Sequence, residues 1–335
     1  MRIIVLFLLT CIFLSCQKNE QADMDKTTLK TIGEIEKLDD RLDGIIKSDA
    51  KIEILGEGYI WSEGPVWVEK DQILIWSDVP QNIAFSWKPG EGVKEYLKPA
   101  GFTGEGEREG SNGLLLNAQG ELVICQHGDR RVAVMEAPIS NPKAHFRTIV
   151  DSYNGKKLNS PNDAAYGKNS ALYFTDPPYG LPGQDENPDK EIPFNCVYRV
   201  SAEGEVTLMD DVLTRPNGIA FSPDFSKCYV ANSDRKMAIW KVYDVDENGV
   251  FQNGRVFFDA TSMVGDQNKG LPDGLRVNKN GIIFATGPGG VLIFTPGGEH
   301  LGTIRPGVAV ANCTFNSDES ILFLTAHNYV AKVEL

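Results

Sequence analysis

The chain is 335 residues long, 41% apolar and 24% charged, which is the composition of a globular protein with room for one large domain or two ordinary ones. Its 33 glycines and 18 prolines predict frequent turns. A net charge of −13 with no basic cluster excludes a nucleic-acid partner.

The first 16 residues, "MRIIVLFLLTCIFLSC", set Arg2 before an apolar run from Ile3 to Leu14. A helix needs roughly 20 apolar residues to span a bilayer, so this run reads as a cleaved export signal. Its end, "FLSC", resembles a bacterial lipobox, with small Ser15 ahead of Cys16 and Phe13 where leucine is usual. The resemblance implies a signal peptide over 1–15 and a lipid on Cys16. The expected product is an exported lipoprotein anchored in a membrane, periplasmic or at the cell surface. The polar stretch "QKNEQADMDK" follows as a tether. Ile32, Ile35, Leu38, Leu42, Ile45 and Ile46 then recur at helical spacing, which predicts an amphipathic helix over 27–47. Residues 16–49 are therefore expected to be tether and short helix, outside the main domain.

From residue 50 onward one figure repeats. It reads "SEGPVWVEKDQILIWSD" from 62, "SNGLLLNAQGELVICQH" from 111 and "PNDAAYGKNSALYFTDP" from 161. It returns as "PNGIAFSPDFSKCYVANS" from 216, "PDGLRVNKNGIIFATGP" from 272 and "ANCTFNSDESILFLTAH" from 311. In each copy a polar residue leads a short apolar strand, a turn rich in Gly, Asn, Asp or Ser follows, and a second strand such as "ILIWS" or "ALYFT" comes next. Third strands ("CVYRV", "AIWKVY") and fourth strands ("FRTIV", "VTLMD") complete most copies. Four strands per unit of roughly 40–50 residues is the period of a propeller blade. The last copy lacks its fourth strand, and "KIEIL" at 51–55 can supply it, which closes the ring and removes an exposed edge. The expected fold is all-β, a six-bladed propeller over 50–335 with four-stranded antiparallel blades. Cys125, Cys196, Cys228 and Cys313 show no CxxC or zinc-like spacing, and three lie in or beside apolar runs, as buried free thiols do.

Innermost strands line a propeller's channel, so the lead residues Glu63, Asn112, Asn162, Asn217, Asp273 and Asn312 are expected to converge. Hard oxygens with two negative charges suit Ca²⁺, with Mg²⁺ or Mn²⁺ as substitutes and Zn²⁺ a poorer one, since no Cys or His recurs at the ring position. The competing reading is local: Asn and Asp before Gly also set turn geometry. It is weakest for Glu63, because Glu does not form turns.

Together "SEGPVW", "SPNDAAY", "RPNGIAFSPD" and "LPDGLRV" resemble the SMP-30/gluconolactonase/luciferin-regenerating-enzyme family over about 55–335, and "REGSNGLLLNAQGELVICQHGDRRV" is similar to its bacterial gluconolactonase branch. The resemblance implies hydrolysis of a small-molecule sugar lactone with Glu63, Asn162, Asn217 and Asp273 as metal ligands. It makes Asp273 or His127 the general base, and an imidazole suits that work near neutral pH. Arg108, Glu109, Asn112 and Asp176 are expected to meet substrate, and Tyr179 to wall the channel. Two other readings are a ligand- or protein-binding propeller without catalysis and a strictosidine-synthase-like propeller. Neither needs two carboxylates and two amides at one depth. From the leader, Cys16→Ser is expected to move the protein from the membrane to the soluble fraction on fractionation. Continued membrane retention would contradict the lipid anchor.

Overall fold

A computed structural model describes residues 29–335; the leader, Cys16, the tether and the first two residues of the expected helix lie outside the described residues. Inner strands Ser62–Val68, Ser111–Leu116, Ala164–Tyr166, Pro216–Phe221, Leu275–Val277 and Asn312–Phe315 begin blades 1 to 6. Each blade is an antiparallel sheet in which the second, third and fourth strands follow outward. Every inner strand touches the inner strands of both neighbouring blades, so the ring is complete. The second strands form where short continuous apolar runs lie between turns: Leu74, Ile75 and Trp76 in blade 1, or Val123, Ile124 and Cys125 in blade 2, are all fully buried, as in strands covered on both faces. Cys125, Cys196, Cys228 and Cys313 are buried free thiols within these sheets.

Closure uses both ends of the described chain. Ile52–Glu57 pairs with Tyr329–Glu334, Val333 opposite Ile52 and Tyr329 opposite Glu57. The Trp67 and Phe323 rings stack between blades 1 and 6, 5.3 Å apart and 17° from parallel. Aromatic pairs also cross later seams: Tyr173 with Phe221 at 4.8 Å, Trp240 with Phe294 at 5.7 Å and Phe284 with Phe315 at 5.1 Å. Such contacts contribute about 0.5–1.5 kcal/mol each beyond the area they bury.

The helix expected over 27–47 does not form in its described part. Thr31–Ile32 adds a fifth strand to blade 6 beside Ile52, and Glu34–Lys37 adds a fifth to blade 5 against Gly302–Arg305. A 3₁₀ turn, Asp40–Gly44, follows, with the Asp39 carboxylate accepting from the Arg41 N–H. Gly33 lies at φ +61, and a Cβ there would stand 2.0 Å from the Arg305 carbonyl oxygen, so the chain bends where a helix would continue. Two open sheet edges offer backbone partners that outweigh a short helix. The apolar residues still turn inward: Leu42 and Ile46 are buried, with Ile32, Ile35 and Ile45 packed beside them, whereas Leu38 is exposed. This segment belongs to the propeller and not to a tether.

Neighbouring inner strands approach most closely just after the lead residues. The Gly113 N–H donates to the Asn162 carbonyl at 2.8 Å, and the Gly274 N–H to that of Ala311 at 2.8 Å. A Cβ on Gly64, Gly218 or Gly274 would fall within 2.0, 2.3 and 2.1 Å of Asn112, Asp273 and Asn312. Hydroxyls on the second strands add further links between blades: Ser77 donates to the Asn112 carbonyl at 2.8 Å and Thr286 to that of Ala311 at 2.9 Å. Overpacking a close-packed site costs about 1–3 kcal/mol. Gly218→Ala is expected to lower stability by that order in urea unfolding, and an unchanged midpoint would show that the seam yields.

Candidate active site

Five lead residues, Glu63, Asn112, Asn162, Asn217 and Asp273, come from blades 1 to 5 onto one cavity of about 470 Å³, with His127 and Glu109 beside them. In blades 1, 2 and 4 the strand pairing slips directly after Glu63, after Ser111 and after Pro216, so a bulge aims the lead side chain inward. Asn162 and Asp273 stand just ahead of their strands, in "SPND" and "LPDG".

The floor is short of hydrogen-bond donors. Glu63 accepts from the Gly64 N–H at 3.0 Å and the Trp61 indole N–H at 3.4 Å. Burial pushes its carboxyl up to about 7, and the Asp163 charge adds to this. Burial also holds Asp273 well above the usual carboxylate range, and the Glu63 and Asp163 charges raise it further. Asp273 Oδ1 and Asn112 Oδ1 are buried with no hydrogen-bond partner. Orphaned buried oxygens beside carboxyl groups that raise one another's pKa are what a cation would relieve. The donor set therefore fits an oxygen-seeking divalent ion. Among the described residues no three His, Cys, Asp or Glu converge, so such an ion would draw on amide oxygens too.

His127 is almost fully buried beside this floor. Its Nδ1 lies 2.9 Å from a Glu109 carboxylate oxygen and its Nε2 3.2 Å from Asn112 Nδ2. With Nδ1–H donating to Glu109, Nε2 accepts from the Asn112 amide, which leaves Asn112 Oδ1 free for the floor. A base oriented by a carboxylate is the arrangement of an activated general base. Asn217 donates to the Ser233 hydroxyl at 3.4 Å, and Tyr179 walls the cavity as expected.

Other expected residues fall elsewhere. Arg108 does not reach this cavity; its guanidinium lies over the Phe102 ring, 5.7 Å from the centroid, and it lines surface clefts instead. Asp176 is not a substrate contact. It is fully buried, and its two oxygens accept the Asn159 and Ser160 N–H groups at 2.8 Å, in the turn that delivers Asn162. Asp78 does the same for Ile60 and Trp61 ahead of Glu63, both at 3.1 Å, and Asn232 accepts the Arg215 N–H at 2.7 Å ahead of Asn217. Three blades thus use one device: a residue at or near the end of the second strand grips the turn before the lead residue. Arg130 braces the same blade 3 turn, its Nε donating to the carbonyls of Leu158 and Asn159. Asp163 does not bond the Asn162 side chain. It lies below the floor, accepting from the Ala164 N–H at 2.9 Å and from Asn312 Nδ2 at 3.3 Å, with Arg276 3.8 Å away. Asn312 joins this lower network and does not line the cavity. Trp61, Ser233 and Arg235 line the cavity without having been anticipated. The recurrent "SD", "TD" and "NS" at the second-strand ends were the sequence signal for the gripping residues.

This architecture is that of known lactone-hydrolase propellers. Residues 61–328 match the model of the SMP-30/gluconolactonase/LRE-like region, and the chain belongs to that family. It is similar to the gluconolactonase of Zymomonas mobilis, 40% identical over 322 residues that cover 93% of this chain and 89% of that one. A pentonolactonase of Haloferax volcanii is 24% identical, with 72% of each chain covered. Among solved structures, the gluconolactonase of Xanthomonas campestris superposes with a TM-score of 0.77 at 29% identity, covering 91% of this chain and 99% of that one. A putative gluconolactonase gives 0.78 at 29% identity, covering 90% and 97%.

Asp176 is pushed up to about 7 by burial, against the pull of its two N–H donors and of Arg130 and Lys190. The folded chain then keeps a proton that the unfolded chain releases, so this group's contribution to stability is full below about pH 4 and is lost as pH rises through about 7. The melting temperature should fall between about pH 5 and pH 8 more steeply in the wild type than in Asp176→Asn. Parallel profiles would place the Asp176 pKa outside that window.

Proposed function

We propose that the chain hydrolyses a sugar lactone such as glucono-1,5-lactone to the open aldonic acid. The observation that carries this reading is the pairing of an oxygen-lined floor, with orphaned Asp273 and Asn112 oxygens, with the Glu109–His127 dyad at its edge. The family and the gluconolactonase relatives support the same class of reaction.

Glu63, Asn162, Asn217 and Asp273 would hold a divalent cation, Ca²⁺ by preference, with Mg²⁺, Mn²⁺ or Zn²⁺ as substitutes. When bound, such an ion supplies Lewis acidity to a carbonyl oxygen. His127 Nε2 gives up the Asn112 amide hydrogen bond and takes a proton from water as the water oxygen bonds to the carbonyl carbon. Glu109, on Nδ1, fixes the ring and stabilises the imidazolium. The carbonyl re-forms as the ring C–O bond breaks, and the departing oxygen takes the proton back from the His127 imidazolium to become a hydroxyl, which restores the neutral base. The product carboxylic acid ionises. Tyr179 and Arg235 offer hydroxyl and guanidinium groups to the sugar hydroxyls, and Ser233, whose hydroxyl donates to the Pro272 carbonyl, can only accept. Asp78, Asp176 and Asn232 hold the turns that set the depth of Glu63, Asn162 and Asn217. Export with a lipid on Cys16 is part of the proposal and is supported by the pattern of residues 1–16.

The test is proton release from a lactone panel after EDTA treatment and after return of each metal, with calorimetric metal titration of the same variants. Glu63→Gln and Asp273→Asn should lose metal binding and turnover together. His127→Ala should keep metal binding and lose roughly 10²–10⁴-fold in kcat. Turnover that survives EDTA would remove the metal from the reaction. A fully active His127→Ala would leave Asp273 as the base.

A further inference from the structure

The walls above the metal-ligand floor divide by blade. Blades 2, 3 and 4 contribute Glu109, His127, Tyr179, Ser233 and Arg235, all able to form hydrogen bonds. Arg235 is exposed, and no ion pair forms between it and the described residues, so its guanidinium is free for a ligand. Blades 5, 6 and 1 contribute only Leu271, Ala309, Val310, Trp61, Val79 and Pro80, with the Gly270 backbone. The one polar atom among those side chains, the Trp61 indole N–H, already donates to Glu63. That half of the mouth therefore has no side-chain donor or acceptor left for a substrate.

A fully hydroxylated lactone finds side-chain partners along only one edge of such a mouth. Its ring carries hydroxyls around most of its edge, and those turned to blades 5, 6 and 1 would meet no free polar side chain, only backbone groups. A cavity of about 470 Å³ also has room for more than a lactone ring. We infer that the preferred substrate is a lactone that is hydroxylated on one edge and bears an apolar group, a deoxy carbon or an alkyl substituent, on the other. The hydroxyls face blades 2 to 4, and the apolar group lies against Leu271, Ala309 and Trp61. This inference rests on the lactonase reading and narrows its substrate class.

Matched pairs test it. The metal-loaded protein is assayed on glucono-1,5-lactone and on 6-deoxy-glucono-1,5-lactone, and on hydroxylated δ-lactones with and without a short alkyl chain. One apolar group in a hydrophobic pocket changes kcat/KM by roughly ten-fold or more. The deoxy and alkyl members should exceed their polar partners by that factor. Leu271→Asn and, separately, Ala309→Ser should narrow the ratio towards one by restoring the polar member. Equal or reversed ratios in the wild type would overturn the inference and leave the lactonase reading intact. An unchanged ratio in both variants would overturn the assignment to this wall. No turnover of any lactone would overturn the lactonase reading and this inference with it.

Discussion

The close approach of consecutive inner strands at the lead residues governs the rest of the molecule. Gly64, Gly113 and Gly218 bring blades 1, 2 and 4 against the backbone of the next blade, and Gly274 brings blade 5 against the Asn312 side chain, where any added side chain would collide. That contact brings the first turn of these blades to the axis, so a lead side chain there has little choice but to face its counterparts. The cavity floor is thus a by-product of how the blades pack. Its precision then depends on Asp78, Asp176 and Asn232, which tie down the turns just upstream. Packing brings the oxygens together, and buried hydrogen bonds set their depth.

The electrostatics follow from the same crowding. Glu63, Asp163 and Asp273 lie within reach of one another's fields, and Arg276 is the cation beside Asp163. Below the floor, Asn312 and Arg276 engage Asp163. At the floor itself no cationic side chain lines the cavity near Glu63 and Asp273, since Arg235 is exposed at the mouth. The upper carboxyl groups are therefore held in a state that favours either protons or a bound cation. That competition links acidity to metal occupancy in the proposed mechanism.

The blades and most of the floor were legible because a period of two and a repeated turn survive in the sequence even when read without a partner. Closure by residues 52–57 was legible because one copy of the repeat was a strand short. The apolar residues of 32–46 misled, since spacing of three to four also suits two edge strands and a turn once open sheet edges are present. Asp176 was recognised as a residue near the site, but its neighbours on the turn, and so its gripping role, depend on the fold. Arg108 is carried away by its contact with Phe102, which no local pattern encodes. The two-sided wall was invisible for a related reason. Val79, Leu271 and Ala309 sit in unrelated loops that meet only when the ring is closed.

Blade 6 draws strands from the start and the finish of the described chain. Its last pairing therefore joins segments separated by nearly the whole sequence, and such long-range contacts form slowly. During synthesis from the N-terminus, blades 1 to 5 can assemble while Ile52–Glu57 waits without its partner. In that interval a strand edge stands open, and exposed edges of this kind recruit other chains. Ring closure is therefore the step at which the nascent molecule is most dependent on protection from its neighbours.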